Sequence, residues 1–207
     1  MRRRIKALLI FTAVLTAVGV WWWQWQAPYR TLTAFLDALQ RGDVAALYAL
    51  TPAYERRFLT PTLIAHAYEQ VIKPQLLNEK KIDRIWRTSL RGFFPDLWLG
   101  RVRSVRFYLW VQDQRSNKKQ LTAIIVQRPP IEERWRVPFS TFLVNTLVGA
   151  YVAQGGSADK AFDWAFETVR RLGFQFVASP EGSTVSTSLT EAAGHREQVM
   201  PSVPISR

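Results

Sequence analysis

Five carboxylates, Asp83, Asp96, Asp113, Glu132 and Glu133, stand where a general base could act, and His66 and His195 are the imidazoles that could hold a metal or a proton. A carboxylate that removes a proton from carbon needs an apolar pocket and neutral oxygen donors facing the developing enolate. Most of the five sit beside Arg or Lys or in turns, where ion pairing or solvent contact is the ordinary fate of a carboxylate. His66, in "LIAHAYEQ", precedes Glu69 by three residues and Gln70 by four. A stable metal site takes three or four ligands, so a hydrogen-bonded helix histidine is the plainer reading. No Gly-rich phosphate loop, Ser-His-Asp order or metal-spaced cluster occurs. The chain has no cysteine, which excludes disulfides, thiolate metal sites, a Cys nucleophile and a lipid-modified Cys. No catalytic, cofactor-binding or metal-binding residue is therefore assigned, and binding is favoured over catalysis.

The elements that must position any site begin with an unusual N-terminus. Arg2, Arg3, Arg4 and Lys6 precede "ALLIFTAVLTAVGVWWW", 17 residues without a charge from Ala7 to Trp23. At 1.5 Å per residue this run covers roughly 25 Å as a helix, enough for a thin bilayer. Cations crowd its N-terminal side and the first ones after it are Arg30 and Arg41, so the positive-inside rule places residues 1–6 in the cytoplasm and everything after Trp25 outside. Trp21, Trp22, Trp23 and Trp25 fit the far interface, where an indole buries its ring and keeps its N–H wet. A cleaved secretory signal is the competing reading, but bulky indoles occupy the place where small residues at A-x-A spacing are needed. Residues 7–25 are thus expected to be a single-pass anchor with an aromatic border, and 28–178 an exported domain.

Within that domain the spacing predicts a helix over 28–41, with Leu32, Phe35, Leu36 and Leu39 on one side and Gly42 at its end. Asp43 is placed to cap a second helix, "VAALYAL", and Thr60 a third, "PTLIAHAYEQVIK", ended by Pro74. Extended segments follow: "IDRIWRTSL", "VRSVRFYLWVQ", "QLTAIIVQR" and, after Pro129 and Pro130, "EERWRVP". "FSTFLVNTLVGAYVA" reads as a buried or pocket-covering helix, being too short for a second span. Ser157 caps another helix, with Phe162, Ala165, Phe166 and Val169 on one side; Gly173 closes it, and a short strand, "FQFVA", follows. From Ser179 to Arg207 the composition is that of a disordered tail. The fold class is α+β, with helices packed on a curved antiparallel sheet and a C-terminal helix and strand added.

Charge and aromatics point to a partner. Lys and Arg number 28 against 16 Asp and Glu, a net charge of +12. The N-terminal cations hold four of these charges and residues 179–207 sum to −1, which leaves +9 on the part between them. Such a charge favours acidic partners: anionic lipid, wall polymers, acidic proteins or nucleic acid. "IWRTSLRGFFPDLWLGRVRSVRFYLW" interleaves cations and rings as a single-strand nucleic-acid platform does, but export argues against that partner. Val105, Phe107, Leu109 and Val111 alternate with Arg106, Tyr108, Trp110 and Gln112, so Arg106, Tyr108 and Trp110 are expected to face outward as a protein contact or homo-oligomer surface. Burial beneath the C-terminal helix is the competing account of these rings.

"YRTLTAFLDALQRGDVAALYALTPAYERRF" together with "YLWVQDQRSNKKQLTAIIVQRPPIEERWRV" resembles the nuclear transport factor 2-like superfamily, in the order helix, Gly-Asp, helix, third helix and long antiparallel strands. The resemblance covers about residues 28 to 138. It implies three helices packed into the concave side of a bent sheet, a cone whose mouth often holds a pocket. Ketosteroid isomerase-like enzymes, small-molecule binders and domains tethered to bacterial membranes share that cone, and the single N-terminal span resembles the third group. The expected function is a membrane-anchored extracytoplasmic binding or scaffold domain, an accessory subunit of an envelope assembly. The alternative is a pocket that binds or isomerises a small apolar molecule. Residues 139–178 exceed the usual length and leave open whether the mouth is covered.

Overall fold

A computed structural model describes residues 2–78, 80–87, 103–114, 117 and 119–174; for residues 2–8, and for the first strand apart from Ile82 and Ile85, it describes the backbone alone. The chain divides into two units, residues 1–175 and 176–207. All but the first residue of the predicted "FQFVA" strand, and the whole of the predicted tail, lie outside the described residues; Phe174 is buried but not in a strand.

The first unit opens with helix α1, Arg2–Arg41, 40 residues without a break. The sequence suggested an anchor and a separate helix starting at Pro28, yet Pro28 lies inside one helix. Proline withholds an N–H and crowds the carbonyl four residues back. Side chains near that step supply donors to neighbouring carbonyls: Thr31 Oγ1 donates to the Ala27 carbonyl (3.2 Å) and Arg30 to the Trp23 carbonyl (3.1 Å). Leu32, Phe35, Ala38 and Leu39 are buried, and Leu36 is only half-buried.

Gly42 ends α1 at φ +67°, a left-handed conformation glycine adopts without strain. As its residue type suggested, Asp43 caps α2, Val44–Leu50, accepting from the Ala46 N–H at 2.9 Å. A short helix α3, Ala53–Arg56, follows, and then α4, Pro61–Ala67, where Thr60 accepts from the Leu63 N–H at 3.2 Å. Beyond Ala67 the winding loosens into a π-helix, Tyr68–Leu77, which runs through Pro74 instead of stopping there. The wider i→i+5 turn, closed by the Asn78 N–H on the Lys73 carbonyl at 2.8 Å, shifts the proline ring away from the carbonyl an α-helical turn would set against it. Tyr68 donates to the Leu39 carbonyl (3.0 Å), which ties this arm to the end of α1.

Three antiparallel strands form one sheet in the order β1–β2–β3: β1 Lys80–Arg87, β2 Ser104–Asp113 and β3 Lys119–Gln127. Val105, Phe107, Leu109 and Val111 face the core and pair in register with Val126, Ile124, Thr122 and Gln120. The predicted fourth strand "EERWRVP" is reduced to a single bridge between Gln127 and Arg136. The reason is that the rest of the outer edge of β3 is taken by helix α5, Phe139–Ala153. Asn145 Nδ2 donates to the Ala123 carbonyl (3.0 Å), and Gly149 lies so near the Leu121 carbonyl that a Cβ there would meet it at 2.2 Å. A side-chain amide and a close helix thus shield carbonyls that an edge strand otherwise leaves open. Phe142 of α5 meets Phe35 of α1 edge to face at 5.0 Å.

Helix α6, Ala158–Arg171, closes the described part. Its buried stripe is Ala161, Ala165 and Val169, while Phe166, expected on that side, is exposed at the rim. Ser157 precedes it without a capping side-chain bond. The expected α+β class with a long N-terminal helix, several further helices and an antiparallel sheet is present.

Candidate functional site

The space between α1, the π-helix, the sheet and α5 is the first place to look for chemistry. It is lined by Leu36, Leu39, Leu76, Leu109, Val111 and Phe142, with Gln40 and Thr122 as polar members, and has room for about one water molecule. Among the described residues no carboxylate lines it. Among the described residues no group of three or more His, Asp or Glu could hold a metal, and His66 is exposed.

Of the five carboxylates singled out from sequence, the side chains of Asp83 and Asp96 lie outside the described residues, Asp113 is half-buried and Glu133 is exposed. Glu132 is held in place. Its Oε1 accepts from the Ala53 N–H, and its Oε2 lies 2.8 Å from Arg136 Nε and 3.8 Å from Arg56 Nη2. Burial raises its pKa, but the Ala53 N–H, Arg136 and Arg56 outweigh burial and hold it below the usual carboxylate range.

The carboxylate with the most unusual surroundings is Glu55, which sequence reasoning missed. It is 7% exposed and comes from α3 to meet the first turn of α5. There it accepts from the Phe139 N–H (2.8 Å), the Ser140 N–H (3.3 Å) and the Ser140 hydroxyl. Burial pushes its pKa up to about 7 against the opposing pull of these bonds. The two glutamates form a reciprocal arrangement: α3 and α5 are each preceded by a proline, Pro52 or Pro138, with no capping side chain. Glu132 caps α3 from the segment before α5, and Glu55 caps α5 from α3. Gln127 Nε2 donates to the Tyr54 hydroxyl and the Val137 N–H to the Leu50 carbonyl, closing the same seam. Neither glutamate is among the described residues that line the inner cavity; together they fasten α3 to α5.

The outward rings of β2 are only partly outward. Arg106 and Trp110 are half-buried, whereas Tyr108 is 8% exposed. Tyr108 stands in the central strand, with Trp86 and Ala123 as its Cα partners. It is not an exposed contact residue of this chain.

At the other end of the molecule the aromatic band lies along α1. Trp22 and Trp23 are exposed and Trp21 and Trp25 half-buried, with the Trp21 and Trp25 rings 5.6 Å apart. The Arg30 guanidinium lies 3.5 Å from the centre of the Trp23 ring. Among the described residues no helix is long and apolar enough to cross a membrane; described side chains begin at Leu9, two residues into the uncharged run. Comparison with family models, with curated proteins and with solved structures finds no match.

Proposed function

We propose that the chain is a membrane-anchored extracytoplasmic binding or scaffold domain, an accessory subunit of an envelope assembly, built on a cone of the nuclear transport factor 2-like kind. The observation that carries this reading is the surface of α1 from Leu9 to Trp23. Leu9, Ile10, Phe11, Val14, Leu15, Val18, Val20, Trp22 and Trp23 are each more than half exposed. They follow one another around the helix instead of forming one stripe, and a helix that is apolar on every side needs an apolar surrounding. Arg2 to Lys6 before the run and the indoles after it supply the charge and the aromatic border of an N-in anchor. The nearly filled inner space, lined by no carboxylate among the described residues, supports binding over the isomerase alternative. The cone is supported by the helix, Gly-Asp, helix opening and by α1 packed over antiparallel strands.

The chain expressed in bacterial membranes should resist carbonate extraction, and protease added from outside should reach its C-terminus. A soluble product starting near Gln24 would refute the anchor. Pull-down from detergent-solubilised membranes should recover a protein partner or a second copy. Trp110→Thr should reduce that recovery with little change in melting temperature, whereas Tyr108→Ser should lower the melting temperature. Equal recovery with and without the Trp110 ring removes this face from the reading.

A further inference from the structure

Arg30 is the first cation after the uncharged run, and its side chain does not point away from that run. Helical side chains lean toward the N-terminus. Arg30 does so over two turns, about 10 Å along the axis, until its Nη2 donates to the Trp23 carbonyl at 3.1 Å and its guanidinium rests on the Trp23 ring at 3.5 Å. A cation that is free to reach into water is thereby fixed at the level of the indoles. Arg30 is exposed and, among the described residues, has no carboxylate partner; the nearest acidic residue along the helix, Asp37, pairs with Arg41 at 2.6 Å. A guanidinium has five N–H groups in one plane, and the Trp23 carbonyl engages one of its nitrogens. Stacking on a ring face leaves the edges open for a bidentate oxyanion.

We propose that Arg30, seated on Trp23, binds the phosphate of an anionic lipid headgroup, one that no choline neutralises, at the extracytoplasmic interface. This rests on the membrane reading above. Phosphates lie at the depth where indoles settle, so the aromatic band that positions the helix also brings Arg30 level with them. Trp23 has two parts in the site, since its ring supports the guanidinium face and its carbonyl fixes the orientation.

The test uses the whole chain reconstituted into vesicles of phosphatidylcholine and phosphatidylglycerol at three to one. Spin-labelled phosphatidylglycerol and phosphatidylcholine report which lipid is held at the protein. The native chain should prefer the anionic label, and Arg30→Gln should reduce that preference about fivefold, the weight of one interfacial cation. Arg30→Lys keeps the charge without the fork and should fall between them. Trp23→Leu keeps the segment apolar and should also weaken the preference. Helical content and melting temperature should not change in Arg30→Gln, because the side chain is exposed. A native preference that Arg30→Gln leaves intact overturns the headgroup site while leaving the anchor standing. A native chain that does not stay with the vesicles overturns both.

Discussion

Glu55 carries a pH dependence whose sign follows from its surroundings. Its pKa rises from an ordinary 4.5 to about 7 on folding, because burial disfavours the charged form more than the α5 N–H groups and Ser140 favour it. Between these values the unfolded chain has released a proton that the folded chain keeps. Its contribution to stability should therefore be greatest below pH 4.5, fall by about 3 kcal/mol as pH rises to about 7, and level off above that. Glu55→Gln, which keeps an acceptor for the Phe139 N–H but does not titrate, should flatten this slope in urea unfolding measured across pH; an unchanged slope would show that other groups set it. Glu132 acts in the opposite direction. Its pKa is depressed, so its contribution is present above its unfolded pKa and is lost as pH falls through the folded value. Glu132 was legible as a paired carboxylate from the Arg residues around it. Glu55 was not, since nothing local in "AYERRF" announces a partner 84 positions away. A clue did exist: helices beginning at Pro52 and Pro138 lack a capping side chain of their own, so each requires a cap from elsewhere in the chain.

Helix α5 illustrates what one element requires of another. Gly149 permits close approach to the Leu121 carbonyl, where a Cβ would sit at 2.2 Å against backbone that cannot swing aside. Gly149→Ala would raise helix propensity in an isolated peptide, yet here it should destabilise the chain by about 1–3 kcal/mol or more, read as a lower denaturation midpoint. A neutral or stabilising result would mean that α5 does not seat on β3 in this way. Elements defined by their own residues were legible: Gly42 and Asp43 between α1 and α2, Thr60 and Pro61 at α4, the alternation of β2, and the uncharged stretch of α5. Elements decided by neighbours were not. "EERWRVP" has the pattern of a strand, but α5 occupies the edge it needed. Pro28 and Pro74 are ordinary stop signals, yet α1 runs on through the first and a wider turn carries the chain past the second. The two faces of β2 were legible as alternation, whereas the burial of Tyr108 was not, since alternation says nothing of what covers a sheet face.

At the scale of the whole chain, the described core reaches as far as Phe174. Phe174 stacks on Phe139 at 6.3 Å, and every buried apolar side chain of the described part belongs to residues 28–174. Removing residues 179–207 should therefore leave the melting temperature within a degree or two, the range of a surface change, when full-length and shortened chains are compared in the same detergent. A large fall would place part of the tail in the core. The long N-terminal helix has a mechanical consequence. Its lower half is wedged into the hydrophobic centre by Leu32, Phe35 and Leu39, its upper half bears the indoles, and no loop lies between them. A joint of that kind has no swivel: a push or twist applied to the body by anything it grips reaches the apolar segment as torque on a single rod, and a turn of that rod is felt at once in the packing around Phe35.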